Sequence, residues 1–88
     1  MVTVLQLQAF IAVADTGSFE AAGRHLSIAQ SAVSRHIRDF ELGFSMPLFD
    51  RRKRTARLTL DGVEVLARAR EILRIREAIL QRLACSDT

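Results

Sequence analysis

Apolar residues along the chain recur at helical spacing in several segments, and one of these segments has two chemically different faces. Val33, Ile37 and Phe40 fall at i, i+4 and i+7, which puts them on one stripe of a helix. We therefore expect a helix that packs this face on the domain and leaves the other face exposed. The opposite face is polar and basic, and its residues are Ser31, Ser34, Arg35 and Arg38.

Two helices are predicted ahead of this two-faced helix. The first runs from about Val4 to Asp15, where apolar residues recur at i, i+3, i+4 and i+7. Gly17 suits a left-handed cap at its end, and Ser18 suits the N-cap of the second helix. A turn over 26–29 then leads to the two-faced helix. The second and third helices therefore form a pair joined by a tight turn.

The two-faced helix begins near Gln30 with weak capping. Ala29 has no side chain that could accept a hydrogen bond from the first turn, and a missing cap costs about 1 kcal/mol. Ser27 is an alternative cap that the sequence leaves open. In the preceding helix, the small residues over 21–23 predict that another helix approaches closely.

Beyond Gly43 and Pro47, which bracket the end of the two-faced helix, the pattern changes. A short apolar pair, a basic turn and a second short segment over 48–59 favour a small β-hairpin or a loop. Five of the seven residues from Arg51 to Arg57 are basic. This segment is therefore expected to carry a basic tip.

The last segment predicts a long helix that Thr59 caps, with Asp61 favourably placed at its start. Leucine recurs every seven residues there, and further apolar rows accompany it over three heptads. We expect this helix to pair with its copy in a second subunit, because the stripe exceeds what so small a core can cover. Folding back on its own core is the alternative. The expected pairing residues are Val65, Leu66, Ala69, Ile72, Leu73, Ile79, Leu80 and Leu83.

The distribution of charge along the chain indicates the kind of partner that the protein binds. The 88-residue chain has a net charge of +3, but residues 31–57 carry seven basic and three acidic side chains. A local basic excess beside two helices joined by a turn indicates nucleic acid more strongly than the total charge does.

The sequence also argues against several other classes of protein. No stretch has the ~18 uninterrupted apolar residues of a membrane span, and the start does not resemble an export signal. The single cysteine, Cys85, excludes an internal disulfide and fits a reducing compartment. His25 and His36 have no metal-ligand spacing, and no phosphate loop or activated nucleophile is visible. We therefore expect a cytoplasmic, nucleoid-associated protein with no enzymatic activity, cofactor, metal or membrane partner.

Short sequence fragments spread over the chain match, in order and spacing, the pattern of one known protein family. They are Leu7-Gln8-Ala9-Phe10, Val13-Ala14, Gly17-Ser18-Phe19, Ala22, Leu26, Gln30, Ala32-Val33-Ser34-Arg35, Ile37, Glu41, Pro47-Leu48-Phe49, Arg51, Leu58-Thr59 and Gly62. Together they resemble the N-terminal DNA-binding domain of LysR-type bacterial transcriptional regulators over nearly the whole chain.

The resemblance implies a mainly α fold with two parts. A winged helix-turn-helix with a small β-hairpin wing would occupy residues 1–59. A long C-terminal linker helix, through which two subunits pair, would occupy residues 60–88. The resemblance also implies that the larger domain which senses a small-molecule effector in such regulators is absent from this chain.

The chain departs from the family pattern at three places. Ser31 stands where the family usually has Pro, and its hydroxyl can donate and accept hydrogen bonds. Phe44-Ser45-Met46 replaces the Leu-Gly that is common just before Pro47, and Gly23 stands where Ala is usual. Ser31 is either a contact to phosphate or base or a helix-start residue, 44–46 affects the turn into the wing, and Gly23 affects close packing; none of the three changes the expected fold.

The two-faced helix is the expected recognition helix in the major groove of DNA. Arg35 can bond the O6 and N7 of guanine together, and Gln30 can pair in the same way with adenine. Ser31 and Ser34 suit close approach to a base or to the backbone. Arg38, one turn further on, suits a phosphate.

Contacts are also expected from two other parts of the chain. Ser18 can direct its hydroxyl and a helix N-terminus at phosphate, or it can act as an N-cap alone. Lys53 and Arg54 are candidates for the wing tip, and the resemblance favours Arg54 for the minor groove. The other basic residues of this turn are expected to be solvated.

The sequence therefore predicts a homodimer that binds specific sites in double-stranded DNA. Its operator would be an inverted repeat with half-sites about one helical turn apart. A protein-interaction module is the alternative, in which the heptad helix is an adaptor and the basic turn only keeps the domain soluble. A helix lying on an anionic membrane is disfavoured, because the apolar helix carries no net charge.

Overall fold

The protein, described from a computed structural model over residues 2–50 and 55–86 with side chains to residue 83, is mainly helical. This part of the chain contains four helices and one two-stranded antiparallel sheet, so the expected fold class is confirmed. The elements are α1 Val4–Thr16, α2 Phe19–Leu26, α3 Gln30–Leu42, β1 Phe49–Asp50, β2 Arg57–Leu58 and α4 Leu60–Ser86.

Side-chain caps and one glycine set the ends of the first two helices. The Gln6 amide donates to Thr3 Oγ1 at 3.1 Å and the Thr3 amide donates to Gln6 Oε1 at 3.2 Å, which is a capping box. Gly17, with φ 80°, is the left-handed cap of α1, as predicted, and the helix ends at Thr16, one residue beyond the expected Asp15. The Ala21 amide donates to Ser18 Oγ at 2.9 Å, so the predicted N-cap of α2 is confirmed.

The turn between α2 and α3 leaves α3 without a side-chain cap. Ala29 occupies the N-cap position, as predicted, and no side chain caps the first turn. The alternative that Ser27 caps α3 is wrong, because Ser27 instead ends α2 in the left-handed region with φ 60°. A Cβ on Gly23 would lie 2.8 Å from the carbonyl oxygen of Ile28. Gly23 therefore makes room for the backbone of the turn and for the start of α3, whose Gln30 nitrogen would lie 3.4 Å from the same Cβ.

All five phenylalanines of the chain form one connected row through the core. The ring of Phe10 in α1 lies 5.1 Å from Phe40 and 5.4 Å from Phe49, measured between centroids. Phe44 extends the row beyond Phe40, and Phe19 extends it beyond Phe49. Because α1 also packs against the other three helices, the row holds α2, α3 and the hairpin around it.

The segment after α3 forms a hairpin, here called the wing, rather than an open loop. Phe49 pairs with Leu58, and Asp50 pairs with Arg57. The Ala56 amide donates to the carbonyl oxygen of Gly17 at 3.2 Å, which ties the wing to the turn between α1 and α2. The basic tip at 51–54 lies outside the described residues.

The backbone of Leu48 joins α3, the wing and α4. Its amide donates to the Glu41 carboxylate at 3.1 Å, and its carbonyl oxygen accepts from the Thr59 amide at 3.0 Å. The Thr59 hydroxyl donates to the Pro47 carbonyl at 2.8 Å and accepts from the Gly62 amide at 3.0 Å. Thr59 is therefore the predicted cap of α4, and it fixes the start of α4 against the Pro47–Leu48 segment that leads into the wing.

The apolar stripe of α4 divides between two environments. Ala69 is 2% exposed and belongs to the core of its own subunit, which corrects its assignment to a free pairing surface. Val65, Leu66 and Leu73 also pack against that core and are half-buried. The exposed members of the predicted set are Ile72, Ile79, Leu80 and Leu83.

An ion pair fastens the middle of α4 to α1. Arg70 donates two hydrogen bonds to the carboxylate of Asp15, and these bonds raise the pKa of Arg70. Beyond this point α4 continues to Ser86, and its 27 residues span about 40 Å. None of the helices in the described ranges combines the length and apolar character needed to traverse a bilayer.

Replacing Gly62 with Ala should destabilise the domain. A Cβ at this position would lie 2.1 Å from the carbonyl oxygen of Leu48, so the start of α4 would have to move. We expect the free energy of unfolding, measured by urea denaturation, to fall by about 1–3 kcal/mol.

Gly43→Ala is the matched control for this prediction. Gly43 has φ −78°, and a Cβ there would approach nothing closer than 3.5 Å. Its stability should be unchanged or slightly raised. An equal loss in both variants would contradict a specific role for the close approach at Gly62.

Candidate nucleic-acid interface

The two faces predicted for α3 are confirmed by their exposure. Val33 and Ile37 are fully buried, and Phe40 is 2% exposed. On the opposite face, Ser34 is half-buried and the remaining polar residues are exposed. These exposed residues are Gln30, Ser31, Arg35 and Arg38. The helix therefore uses all of its apolar face for packing and keeps its polar face accessible.

An open groove of about 520 Å³ lies between the start of α2, α3 and the wing; we call it the α2–α3 groove. Four residues of the predicted site border it. Ser18 comes from the start of α2, while Gln30, Ser34 and Arg38 come from α3. Because these three are spaced by four residues, they form one row along α3. The tertiary structure thus brings the N-terminus of α2 to the polar face of α3.

The remaining predicted residues of α3 lie beside this groove rather than on its border. Ser31 and Arg35 are exposed on the neighbouring row of the same helix. In the described ranges, no ion pair engages Arg35 or Arg38, so both guanidinium groups are open to a ligand. Lys53 and Arg54, the predicted wing residues, fall outside the described residues.

Ser18 performs a structural role that leaves part of its hydroxyl available. Its oxygen accepts from the Ala21 amide, which satisfies one free donor of the first turn of α2. A hydroxyl also carries one proton that it can donate. Ser18 is half-buried on the border of the α2–α3 groove, so it can cap the helix and donate to a ligand at the same time.

Three polar residues that border the groove were not among the predicted site residues. Glu20 lies in the first turn of α2. The signal that could have found it is its position two residues after Ser18, within the same turn. Asp50 and Thr55 border the groove from the wing, and each adjoins the basic tip in sequence.

The groove is not uniformly basic. Among its bordering residues in the described ranges, Glu20 and Asp50 carry carboxylates and Arg38 carries a guanidinium. Glu20 forms an ion pair with Arg24 at 2.7 Å, and both side chains are 70% exposed. The positive charge of the interface is therefore concentrated on α3 and in the basic tip of the sequence.

Residues 4–63 match the family model described as bacterial regulatory helix-turn-helix protein, lysR family. The chain is also similar to an uncharacterized HTH-type transcriptional regulator in the ibpB-leuC intergenic region of Azotobacter vinelandii. The two are 49% identical over 71 residues, which cover 81% of this chain and 49% of that protein. The chain thus spans about half the length of this curated relative.

Two solved structures that contain DNA have a similar backbone. The chain matches the BenM_DBD/benA site 1 DNA complex with a TM-score of 0.92 and 25% identity, over 99% of this chain and 98% of that one. It matches the CbnR_DBD-DNA complex with a TM-score of 0.89 and 30% identity, over 99% of this chain and 100% of that one. The similarity therefore includes α4 as well as the helices and the wing.

Ser18→Ala should lower the stability of the domain through loss of the α2 cap. We expect the free energy of unfolding, measured by chemical denaturation, to fall by about 1 kcal/mol. Ser31→Ala is the matched control, because Ser31 is exposed in the first turn of α3 and caps nothing. Its effect should stay within about 0.5 kcal/mol. Equal losses would show that the Ser18 hydroxyl has no special place in the fold.

Proposed function

The chain belongs to the LysR family of bacterial helix-turn-helix regulators as a DNA-binding domain, and on that premise we propose that it acts as a homodimer on an inverted-repeat operator. The observation that carries the proposal is the division of α3 into a fully buried apolar face and an accessible polar face. Such a helix can enter the major groove without losing its packing on the domain. The protein would regulate transcription by occupying this operator.

Base recognition is proposed for the accessible residues of α3. Arg35 is exposed and free to form two hydrogen bonds with guanine, and Gln30 can do the same with adenine. Ser31 and Ser34 would make close contacts to base edges or to the sugar-phosphate backbone. This division of roles gives sequence discrimination to the start and middle of α3.

Phosphate contacts are proposed around the base-reading residues. Arg38 at the far end of the row and Ser18 at the start of α2 would hold the two sides of the major groove. Lys53 and Arg54 would extend the contact at the tip of the wing, with Arg54 in the minor groove. Such contacts set the register of the protein and much of its affinity.

Pairing of two subunits is proposed through α4. Its second half carries an exposed apolar row at Ile72, Ile75, Ile79 and Leu83. Ile72 also borders an apolar groove of about 350 Å³ between α1, the end of α3 and α4. The α4 helix of a second copy would cover the row and this groove together, with Leu80 beside it. A symmetric pair would present two recognition helices to DNA about one helical turn apart.

The wider role of the protein is also a proposal. Chromosomal DNA as partner implies action at the nucleoid, in the cytoplasm. A small-molecule effector would act through a domain other than the DNA-binding domain described above. Neither a membrane nor an enzymatic reaction is part of this function.

Arg35→Ala should weaken binding to the preferred operator by about 1–3 kcal/mol and reduce discrimination at one base pair of each half-site. Fluorescence anisotropy with preferred and random duplexes would measure both effects. Arg74→Ala, an exposed arginine on α4, is the control and should change neither. Equal losses on preferred and random DNA would reduce Arg35 to a phosphate contact.

Ile79→Asp should separate the subunits without unfolding them. Ile79 is 56% exposed in the single subunit, so a charge there disturbs only the proposed seam. Sedimentation velocity should then report a monomer with an unchanged helical circular dichroism spectrum. Gln81→Asp adds the same charge on another side of α4 and should remain a dimer. A dimeric Ile79→Asp variant would rule out this part of α4 as the interface.

A further inference from the structure

Glu20 is an unexpected residue for a surface that contacts phosphates. It borders the α2–α3 groove together with Ser18, Gln30 and Arg38. DNA-binding surfaces gain most of their affinity from cations that replace the counterions of the duplex, so a carboxylate in this position opposes binding. Glu20 therefore has a charge opposite to the one that favours DNA binding at this surface.

The position of Glu20 explains what it contributes in the absence of DNA. It lies in the first turn of α2, where a negative charge interacts favourably with the helix dipole. It also pairs with Arg24 one turn later, at 2.7 Å between Oε1 and Nη1. Both side chains are 70% exposed and Glu20 borders the groove, so its carboxylate is accessible to a phosphate backbone that enters there.

We propose that Glu20 limits the affinity of the domain for DNA and that Arg24 partly offsets this limit. The proposal rests on entry of DNA into the α2–α3 groove. The carboxylate repels the phosphates that approach the start of α2, and the paired guanidinium reduces the repulsion by neutralising it locally. Since phosphates are present in every sequence, the effect falls on preferred and random DNA alike and restrains non-specific occupancy. Asp50 has a partner of its own and is not needed for this argument.

Charge removal at the pair tests this proposal. Glu20→Gln keeps the shape of the side chain, and it should tighten binding to preferred and random duplexes by about two- to fivefold at low salt. The gain should shrink as salt is raised. In an Arg24→Ala background the same substitution should give a larger gain, because the carboxylate there is no longer neutralised. Anisotropy titrations of the four proteins complete the cycle, with thermal melts to verify that each is folded.

The chain offers a matched control in the ion pair between Arg68 and Glu71 on α4. Its atoms are 2.8 Å apart and its side chains are 70% and 50% exposed, but it lies away from the α2–α3 groove. Glu71→Gln should therefore leave the affinity for DNA unchanged.

Several results would overturn the proposal. An unchanged affinity of Glu20→Gln, or a gain equal to that of Glu71→Gln, would remove Glu20 as a limit. Weaker binding of Glu20→Gln to the preferred duplex alone would make Glu20 a base contact instead. If the unaltered protein bound neither duplex, the proposed function itself would fail. If the unaltered protein bound DNA and Glu20→Gln bound no more tightly, only the role of Glu20 would be rejected.

Discussion

The backbone of Leu48 is the constraint on which the arrangement of the domain depends. Its amide is held by the Glu41 carboxylate from α3, and its carbonyl is held by the Thr59 amide at the start of α4. Gly62 leaves just enough space for that carbonyl. Buried backbone groups must find partners, so this short segment cannot shift without breaking contacts to two helices at once. The direction of α4 is thereby fixed relative to the polar face of α3.

The row of phenylalanine side chains in the core also fixes the orientation of α3. Phe10 contacts Phe40 of α3 on one side and Phe49 of the wing on the other. A rotation of α3 that buried Arg35 would withdraw Phe40 from this row and expose it to water. Burial of a phenylalanine contributes about 1.5–3 kcal/mol, whereas an exposed arginine gains little from packing. The polar face of α3 therefore points outward, because the opposite, apolar face is packed in the core.

The long helix α4 has a buried part and an exposed part, and its heptad pattern does not distinguish them. Its first half completes the core through Ala69, and the Arg70–Asp15 ion pair holds it to α1. Its second half presents isoleucine and leucine side chains that no part of the described chain covers. Both halves show the same apolar spacing, because a helix packs its own core and a partner helix with the same kind of stripe. The sequence offered these as alternatives. The structure shows the first half of α4 packed on its own core, and pairing through the second half is our proposal.

Local spacing determined much of this protein by itself. The ends of α1 and α2, the missing side-chain cap of α3 and its two faces follow from interactions between residues no more than about four positions apart. The tertiary structure alone decided that Ser18, Glu20 and Arg38 share one groove, that Gly62 meets Leu48, and that Asp15 meets Arg70 across 55 residues of sequence. The physical reason is that capping and periodicity act along the chain, whereas these contacts depend on how separate elements pack in three dimensions.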